Sequence, residues 1–308
     1  MKSKTLTGID IGTNTFRLLI ADVDDKGIND LYSGRVITRL GEGVSVTGLL
    51  KEEATERGLN ALKQFRNIIA AHKVDAVEAV ATSVLRVAKN SGEFVKRAKY
   101  ETGLDLSIIS EEEEAWKTFR GMKMGIEVPE SSLMVDIGGG STEFILSKKG
   151  EALFMRSLKL GVVYLADIYM KNDPLSDDEI KGMRNEISQA LASLEPQFSE
   201  AKALIGTAGT ITTVAAMSKK LPAFDRSKIH NAGISFNSVK DIFTAISVSN
   251  RKERAKLYPV LDPSRLDIIV PGAMILLEIM MKFGFKEIIV SDKGLREGIL
   301  LDLYDKIA

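Results

Sequence analysis

Three short segments of the chain combine glycine with hydroxyl side chains. Asp10 precedes Gly12, Thr13, Asn14 and Thr15; Asp136 precedes Gly138, Gly139, Gly140 and Ser141; Gly206, Thr207 and Gly209 open a third loop that runs to Thr210. Glycine lets backbone amides approach an anion closely because no Cβ stands in the way, and the hydroxyls add further donors. These residues suit the binding of phosphate. A single such turn reads most simply as an ordinary hairpin turn. Two copies, each led by an aspartate at the end of an apolar strand, argue for more. The third loop lies between a strand and a helix N-terminus, a position that itself favours phosphate.

Asp10 and Asp136 take equivalent positions in the first two segments. Carboxylates facing a phosphate suit a hydrated Mg²⁺, which keeps several waters and bridges to phosphate oxygens. Glu143 follows the second turn and can join them. The chain has no cysteine and only two histidines, His72 and His230, which excludes thiolate sites, disulfides and His-rich metal clusters. Oxygen ligands remain, and with them hard ions such as Mg²⁺, Mn²⁺ or Ca²⁺. His230 reads as a satisfied loop histidine.

Ser110 is followed by four glutamates. Ser110 as N-cap and Glu113 at the third helical position make a capping box, and the acidic run suits the helix dipole. On these residues alone the run is structural, although capping leaves Glu114 without a task. Arg86 lies just past a buried strand; taken alone it reads as a surface arginine.

Two matching units have to position these groups. DIGTNTFRLLI begins at Asp10 and DIGGGSTEFIL begins at Asp136, so the chain carries an internal repeat. Apolar and β-branched runs predict strands over 5–11, 16–23 and 31–40, and again over 133–137, 144–147 and 151–158. Helical spacing predicts helices over 52–72, 162–170 and 176–194, with further strands at 74–81, 106–109, 203–205 and 287–290. The fold class is α/β, a duplicated unit around a central cleft. The lobes divide at 1–124 and 125–308, with a hinge near 121–130. The last helix, about 297–308, is free to pack back on the first lobe.

The 308 residues include 42 Lys plus Arg and 42 Asp plus Glu, so the formal net charge is zero. That balance argues against bulk nucleic-acid binding, which needs a basic field. The N-terminus meets Asp10 before any long apolar run develops and is no signal peptide. Residues 268–281, broken by Pro271, Gly272 and Glu278, are too short for a bilayer span and read as a buried helix. No membrane partner is expected, and the cytoplasm is the default location.

DIGTNTFRLLI, ATSVLRVAKN, SEEEEA, VDIGGGSTE, IGTAGTITT and SDKGLREGIL occur in the order seen in the exopolyphosphatase/guanosine-pentaphosphate phosphatase family, which this chain resembles from Asp10 to Gly298. The resemblance implies two ribonuclease H-like lobes of the actin, Hsp70 and sugar kinase superfamily. It implies hydrolysis of the terminal phosphoanhydride bond of inorganic polyphosphate, with guanosine pentaphosphate as the alternative substrate and a non-catalytic polyphosphate or nucleotide sensor as a second alternative. Carried over by position, Glu114 is the general base with Glu113 beside it. Asp136 and Glu143, with Asp10 opposite, are the carboxylates for Mg²⁺ or Mn²⁺. Asn14, Arg86, Gly138 to Ser141 and Gly209 are phosphate contacts. Thr13 and Thr15 stand where serines are frequent, and Trp116 where an arginine is common. The resemblance is to the short form of the family, without the extra C-terminal domain of longer members, and it implies a homodimer, a state common in the family.

Overall fold

The computed structural model describes residues 2–307. Contacts divide the chain into two compact units, Met1–Gly121 with Gly294–Ala308, and Met122–Lys293. The first unit holds β1 (Lys4–Ile11), β2 (Thr15–Asp24), β3 (Gly27–Ile37), α1 (Val44–Thr47), α2 (Glu52–Ala70), β4 (Ala76–Ala81), α3 (Ser83–Val87), α4 (Ser91–Thr102), β5 (Leu106–Ile108) and α5 (Glu111–Met122). The second holds β6 (Ser131–Ile137), β7 (Thr142–Lys148), β8 (Glu151–Leu158), α6 (Val162–Tyr169), α7 (Asp177–Ala192), β9 (Ala203–Thr207), α8 (Ala208–Ser218), α9 (Arg226–Ile229), β10 (Gly233–Ser235), α10 (Phe236–Ser247), α11 (Arg251–Leu257), α12 (Ile269–Phe283) and β11 (Glu287–Val290). The chain then returns to the first unit as α13 (Leu295–Ile307).

The two sheets repeat one plan. In the first, the order is β3-β2-β1-β4-β5, with β1, β2 and β3 antiparallel and β4 and β5 parallel to β1. In the second, β8-β7-β6-β9-β11 follows the same order and senses, and β10 adds an antiparallel edge. This is a duplicated ribonuclease H-like α/β fold. The strand expected over 31–40 begins earlier, at Gly27, because Lys26 N donates to Asp24 Oδ1 (2.8 Å) and Gly27 takes φ 138°, closing a tight turn.

Strand periodicity decides which residues meet which layer, since alternate side chains leave opposite faces. Ile9, Ile11, Phe16, Leu18 and Ile20 pack with Leu59, Leu62 and Phe65 of α2 and Phe94 of α4. Leu6, Leu19, Ala21 and Val23 pack instead with Leu300, Leu303 and Tyr304 of α13. Helices therefore cover both faces of the first sheet. Buried Lys117 fastens α5 to α13 through Asp302 (2.5 Å). Glycine permits the close approach of these two helices: a Cβ on Gly298 would lie 1.8 Å from the Lys117 carbonyl oxygen.

The second core gathers Leu133, Val135, Ile137, Phe144 and Leu146 under α6, α7, α8, α10 and α12. Residues 268–281 are a buried helix, as their pattern predicts. Pro271 falls at the third position of α12, where its missing N–H has no intrahelical partner to lose. Among the described residues no helix is long and apolar enough to cross a membrane.

Candidate active site

In the first unit, Asp10 lies on the same side of β1 as Leu6 and Gly8, the side that faces α13. The ladder sets Arg17 directly opposite Asp10, and Arg35 opposite Arg17. Arg17 Nη1 lies 3.5 Å from Asp10 Oδ2. The first turn of α13 arrives at the same place, where a Cβ on Gly8 would lie 3.3 Å from the Arg296 carbonyl oxygen. Asp10 is buried, and burial pushes its carboxyl above the usual range; Arg17 and Arg296 pull it back and Glu297 raises it further. Glu297 also caps α13, its Oε2 accepting from Gly294 N at 2.8 Å. Sequence reasoning assigned no role to Arg17, Arg296 or Glu297. All three lie within the family motifs, but only the register and the return of α13 reveal their common neighbour.

The turn after Asp10 closes through Gly12 N donating to Thr15 O (3.3 Å). Its carbonyls are taken by the following loop: Thr38 N and Arg39 N donate to Asn14 O (3.1 and 3.0 Å), and Gly41 N to Thr13 O (2.8 Å). Asn14 Nδ2 donates to Thr15 Oγ1 (3.2 Å). Thr13, Asn14 and Thr15 are all buried.

The capping box at the start of α5 is present. Glu113 N donates to Ser110 Oγ (3.1 Å), and Ser110 N to Glu113 Oε2 (2.9 Å), so the Glu113 carboxylate is committed to the helix end. One residue later the helix turns by about 100° and buries Glu114. Its Oε2 accepts from Arg86 Nη1 at 2.7 Å, and the same nitrogen donates to Ile109 O at 3.1 Å. Trp116, two residues beyond, points to the other side of α5, where its ring meets Phe119 (5.8 Å) and it is 42% exposed.

In the second unit the same hairpin carries different chemistry. Asp136 stands opposite Glu143, and Glu143 opposite Ser157, on the face turned away from Val135 and Phe144. Glu143 is 1% exposed and its Oε1 accepts from Ser157 Oγ at 2.9 Å. Gly138 N donates to Ser141 O (3.0 Å), the counterpart of the bond that closes the first turn. The first amides of α6 donate back to this turn, Val162 N to Gly138 O (3.1 Å) and Val163 N to Gly139 O (2.8 Å). Gly161 makes that contact feasible, since a Cβ there would lie 2.3 Å from the Gly139 oxygen. Thr142 spends its hydroxyl on Leu160 O.

Two residues of the third loop also serve packing and loop closure. Gly206 lies within β9 and makes room for two isoleucines; a Cβ on it would lie 2.5 Å from Ile211 Cδ1 and 2.6 Å from Ile288 Cδ1. Thr207 Oγ1 donates to Lys293 O (2.8 Å). Gly209 is placed otherwise: the buried Arg265 guanidinium lies against it at the start of α8, its Nη1 2.3 Å from where a Cβ would be. Arg265 sits 56 positions from Gly209 in the chain, and no local motif could have announced it. His230 is partnered, with Nδ1 2.9 Å from Asp292 Oδ1 and Nε2 3.2 Å from Gly125 O.

Among the described residues no three Asp, Glu or His side chains form a metal-binding group. Asp136 and Glu143 supply hard oxygen donors from neighbouring strands, and this fits Mg²⁺, which is commonly held by one or two carboxylates while retaining waters. Asp10, expected as a third ligand, is paired with Arg17 in its own unit.

The sequence profile of the Ppx/GppA phosphatase family matches residues 19–307. Exopolyphosphatase 2 of Mycobacterium tuberculosis is 31% identical over 315 residues, covering 97% of this chain and 98% of that protein. A bifunctional 3-dehydroquinate synthase/phosphatase of Fusobacterium nucleatum is 34% identical over 307 residues; the match takes in 96% of this chain and 46% of that protein. An exopolyphosphatase structure from Cytophaga hutchinsonii superposes with a TM-score of 0.91 at 31% identity, over 98% of each chain.

Proposed function

Because the chain belongs to the Ppx/GppA phosphatase family, we propose that it hydrolyses the terminal phosphoanhydride bond of inorganic polyphosphate and releases orthophosphate. The observation that carries this reading is the Arg86–Glu114 pair at 2.7 Å. Capping of α5 is already complete through Glu113, so a second, inward-turned carboxylate held by a guanidinium has no part in ending the helix.

Phosphoryl transfer asks of a protein mainly positioning and charge stabilisation. Glu114 orients a water and accepts its proton as the water oxygen attacks the terminal phosphorus in line. The bond from that phosphorus to the bridging oxygen breaks, and the shortened chain leaves with the electron pair. Arg86 uses only Nη1 for Ile109 and Glu114, so its Nε and Nη2 donors serve a phosphate oxygen without releasing the base. The glycine turn at 12–15, in the same unit as Glu114, serves the remaining oxygens. A Mg²⁺ on Asp136 and Glu143 supplies, when bound, positive charge against the phosphate oxygens.

The test is phosphate release in the presence of Mg²⁺ from long-chain polyphosphate and from guanosine pentaphosphate, side by side. Faster release from polyphosphate is the expected result. Release chiefly from the nucleotide would overturn the substrate and keep the chemistry. Binding of both without release would overturn both and leave a sensor.

A further inference from the structure

The rung that pairs Asp136 with Glu143 continues onto a third strand. Asp136 on β6 stands opposite Glu143 on β7, and Glu143 stands opposite Ser157 on β8. The corresponding rung of the first unit carries Asp10, Arg17 and Arg35. Residues directly opposite share a face of the sheet with Cβ atoms about 4.5–5.5 Å apart, near enough for a short side chain to reach its neighbour. Ser157 makes that reach: its hydroxyl donates to Glu143 Oε1 at 2.9 Å. Glu143 is buried and Ser157 half-buried, so the bond is shielded from competing water.

The donor is held in place from both sides. Leu158, next to it, packs in the second core, and the Thr142 hydroxyl donates to Leu160 O, closing the end of β8 against the start of β7. A serine oxygen is placed by a single torsion with three staggered wells, so a fixed strand leaves it few positions. The hydroxyl is also a neutral donor. It engages one oxygen of Glu143 without cancelling the carboxylate's charge, whereas an arginine, as on the first unit's rung, brings a positive charge of its own. A hydrogen bond of this kind is what orients a metal-ligating carboxylate from outside the coordination sphere.

We propose that Ser157 is a positioning residue for a divalent cation: its hydroxyl sets the plane of the Glu143 carboxylate so that this group and Asp136 hold the ion together. The inference rests on the reading of Asp136 and Glu143 as the cation-binding carboxylates.

The experiment titrates Mn²⁺ alone into wild type, Ser157→Thr, Ser157→Val, Ser157→Ala and Glu143→Gln, with no phosphate compound present. Electron paramagnetic resonance reads the free ion, and circular dichroism follows folding and unfolding of each metal-free protein. Threonine and valine match in shape, so their difference isolates the hydroxyl. Ser157→Thr is expected to bind Mn²⁺ close to wild type, and Ser157→Val about tenfold or more weakly, the usual loss for an outer partner of a metal ligand. Ser157→Ala is expected to match Ser157→Val, and it carries the comparison should the valine variant not fold. A hydroxyl that only satisfied a buried carboxylate would lower the unfolding temperature when lost and leave the Mn²⁺ affinity of the folded protein unchanged. That result would overturn the proposal, as would a Ser157→Thr as weak as Ser157→Val, or a wild type that binds no Mn²⁺. Weaker binding in Glu143→Gln with none lost in Ser157→Val would overturn the role of Ser157 and leave the carboxylates standing. Because no polyphosphate enters the titration, a chain that hydrolyses none but shows the Ser157 effect would sustain the proposal while the functional reading fails.

Discussion

Asp136 and Glu143 stand directly opposite each other across the β6–β7 ladder, in the register that pairs Asp10 with Arg17 across β1–β2. The duplicated hairpin thus carries two acids in one unit and an acid–base pair in the other. Two carboxylates on neighbouring strands are oxygen donors of the kind that hold a hydrated divalent cation. In the proposed reaction this acid pair is where a divalent cation would bind, whereas Asp10 faces a guanidinium.

Asp136→Asn and Glu143→Gln should each raise the Mg²⁺ concentration needed for half-maximal phosphate release by about tenfold or more, as expected for loss of one of two carboxylates. A Mg²⁺ titration of each variant measures this. Half-saturation at the wild-type concentration would place the cation elsewhere.

Asp10 gives a pH-dependent prediction. Burial raises its folded carboxyl above the unfolded value of 3.8, so the neutral form is favoured in the fold. That contribution is full below the unfolded value and is lost as pH rises through the folded one. At neutral pH the ionised group is a burden, and Asp10→Asn should unfold at a higher temperature than wild type. The gain should shrink as pH is lowered through the raised folded value, where wild-type Asp10 takes up its proton. Melting curves from mildly acidic to mildly alkaline pH check it; a variant less stable than wild type at neutral pH would mean that the Arg17 ion pair outweighs burial.

The contact of α5 with α13 predicts sensitivity at two glycines. A Cβ on Gly121 would lie 1.9 Å from the Gly294 oxygen, and one on Gly298 1.8 Å from that of Lys117. Both obstacles are backbone and cannot swing aside. Gly298→Ala and Gly121→Ala should each destabilise by about 1–3 kcal/mol or more, the usual range for overpacking. Denaturant unfolding measures it, and wild-type midpoints would show that the helices do not approach this closely.

Much of the fold was legible because both signals that reveal it are local. The Asp-Ile-Gly runs starting at Asp10 and Asp136 announce the duplication, and alternating apolar residues announce the strands around them. The capping box at Ser110 and Glu113 was equally readable, since its partners are three residues apart. What stayed hidden depends on distant chain segments. Arg265 reaches Gly209 only after the chain has passed through α8 to α11, and Arg296 and Glu297 reach Asp10 only because α13 returns to the first sheet. The packing of Gly206 against Ile211 and Ile288 was equally hidden, because glycine spacing does not say what fills the room of the missing Cβ.

In the proposed reaction Glu114 acts on the attacking water while Glu113 only ends a helix. The direct measurement is polyphosphate turnover by Glu114→Gln and Glu113→Gln, with substrate binding and thermal unfolding followed in parallel. Glu114→Gln should fold and bind substrate yet lose on the order of 10²- to 10⁴-fold in kcat, the usual worth of a general base. Glu113→Gln, whose amide can still serve the capping box, should stay within about tenfold of wild type. A Glu114→Gln enzyme with near wild-type turnover would contradict the account.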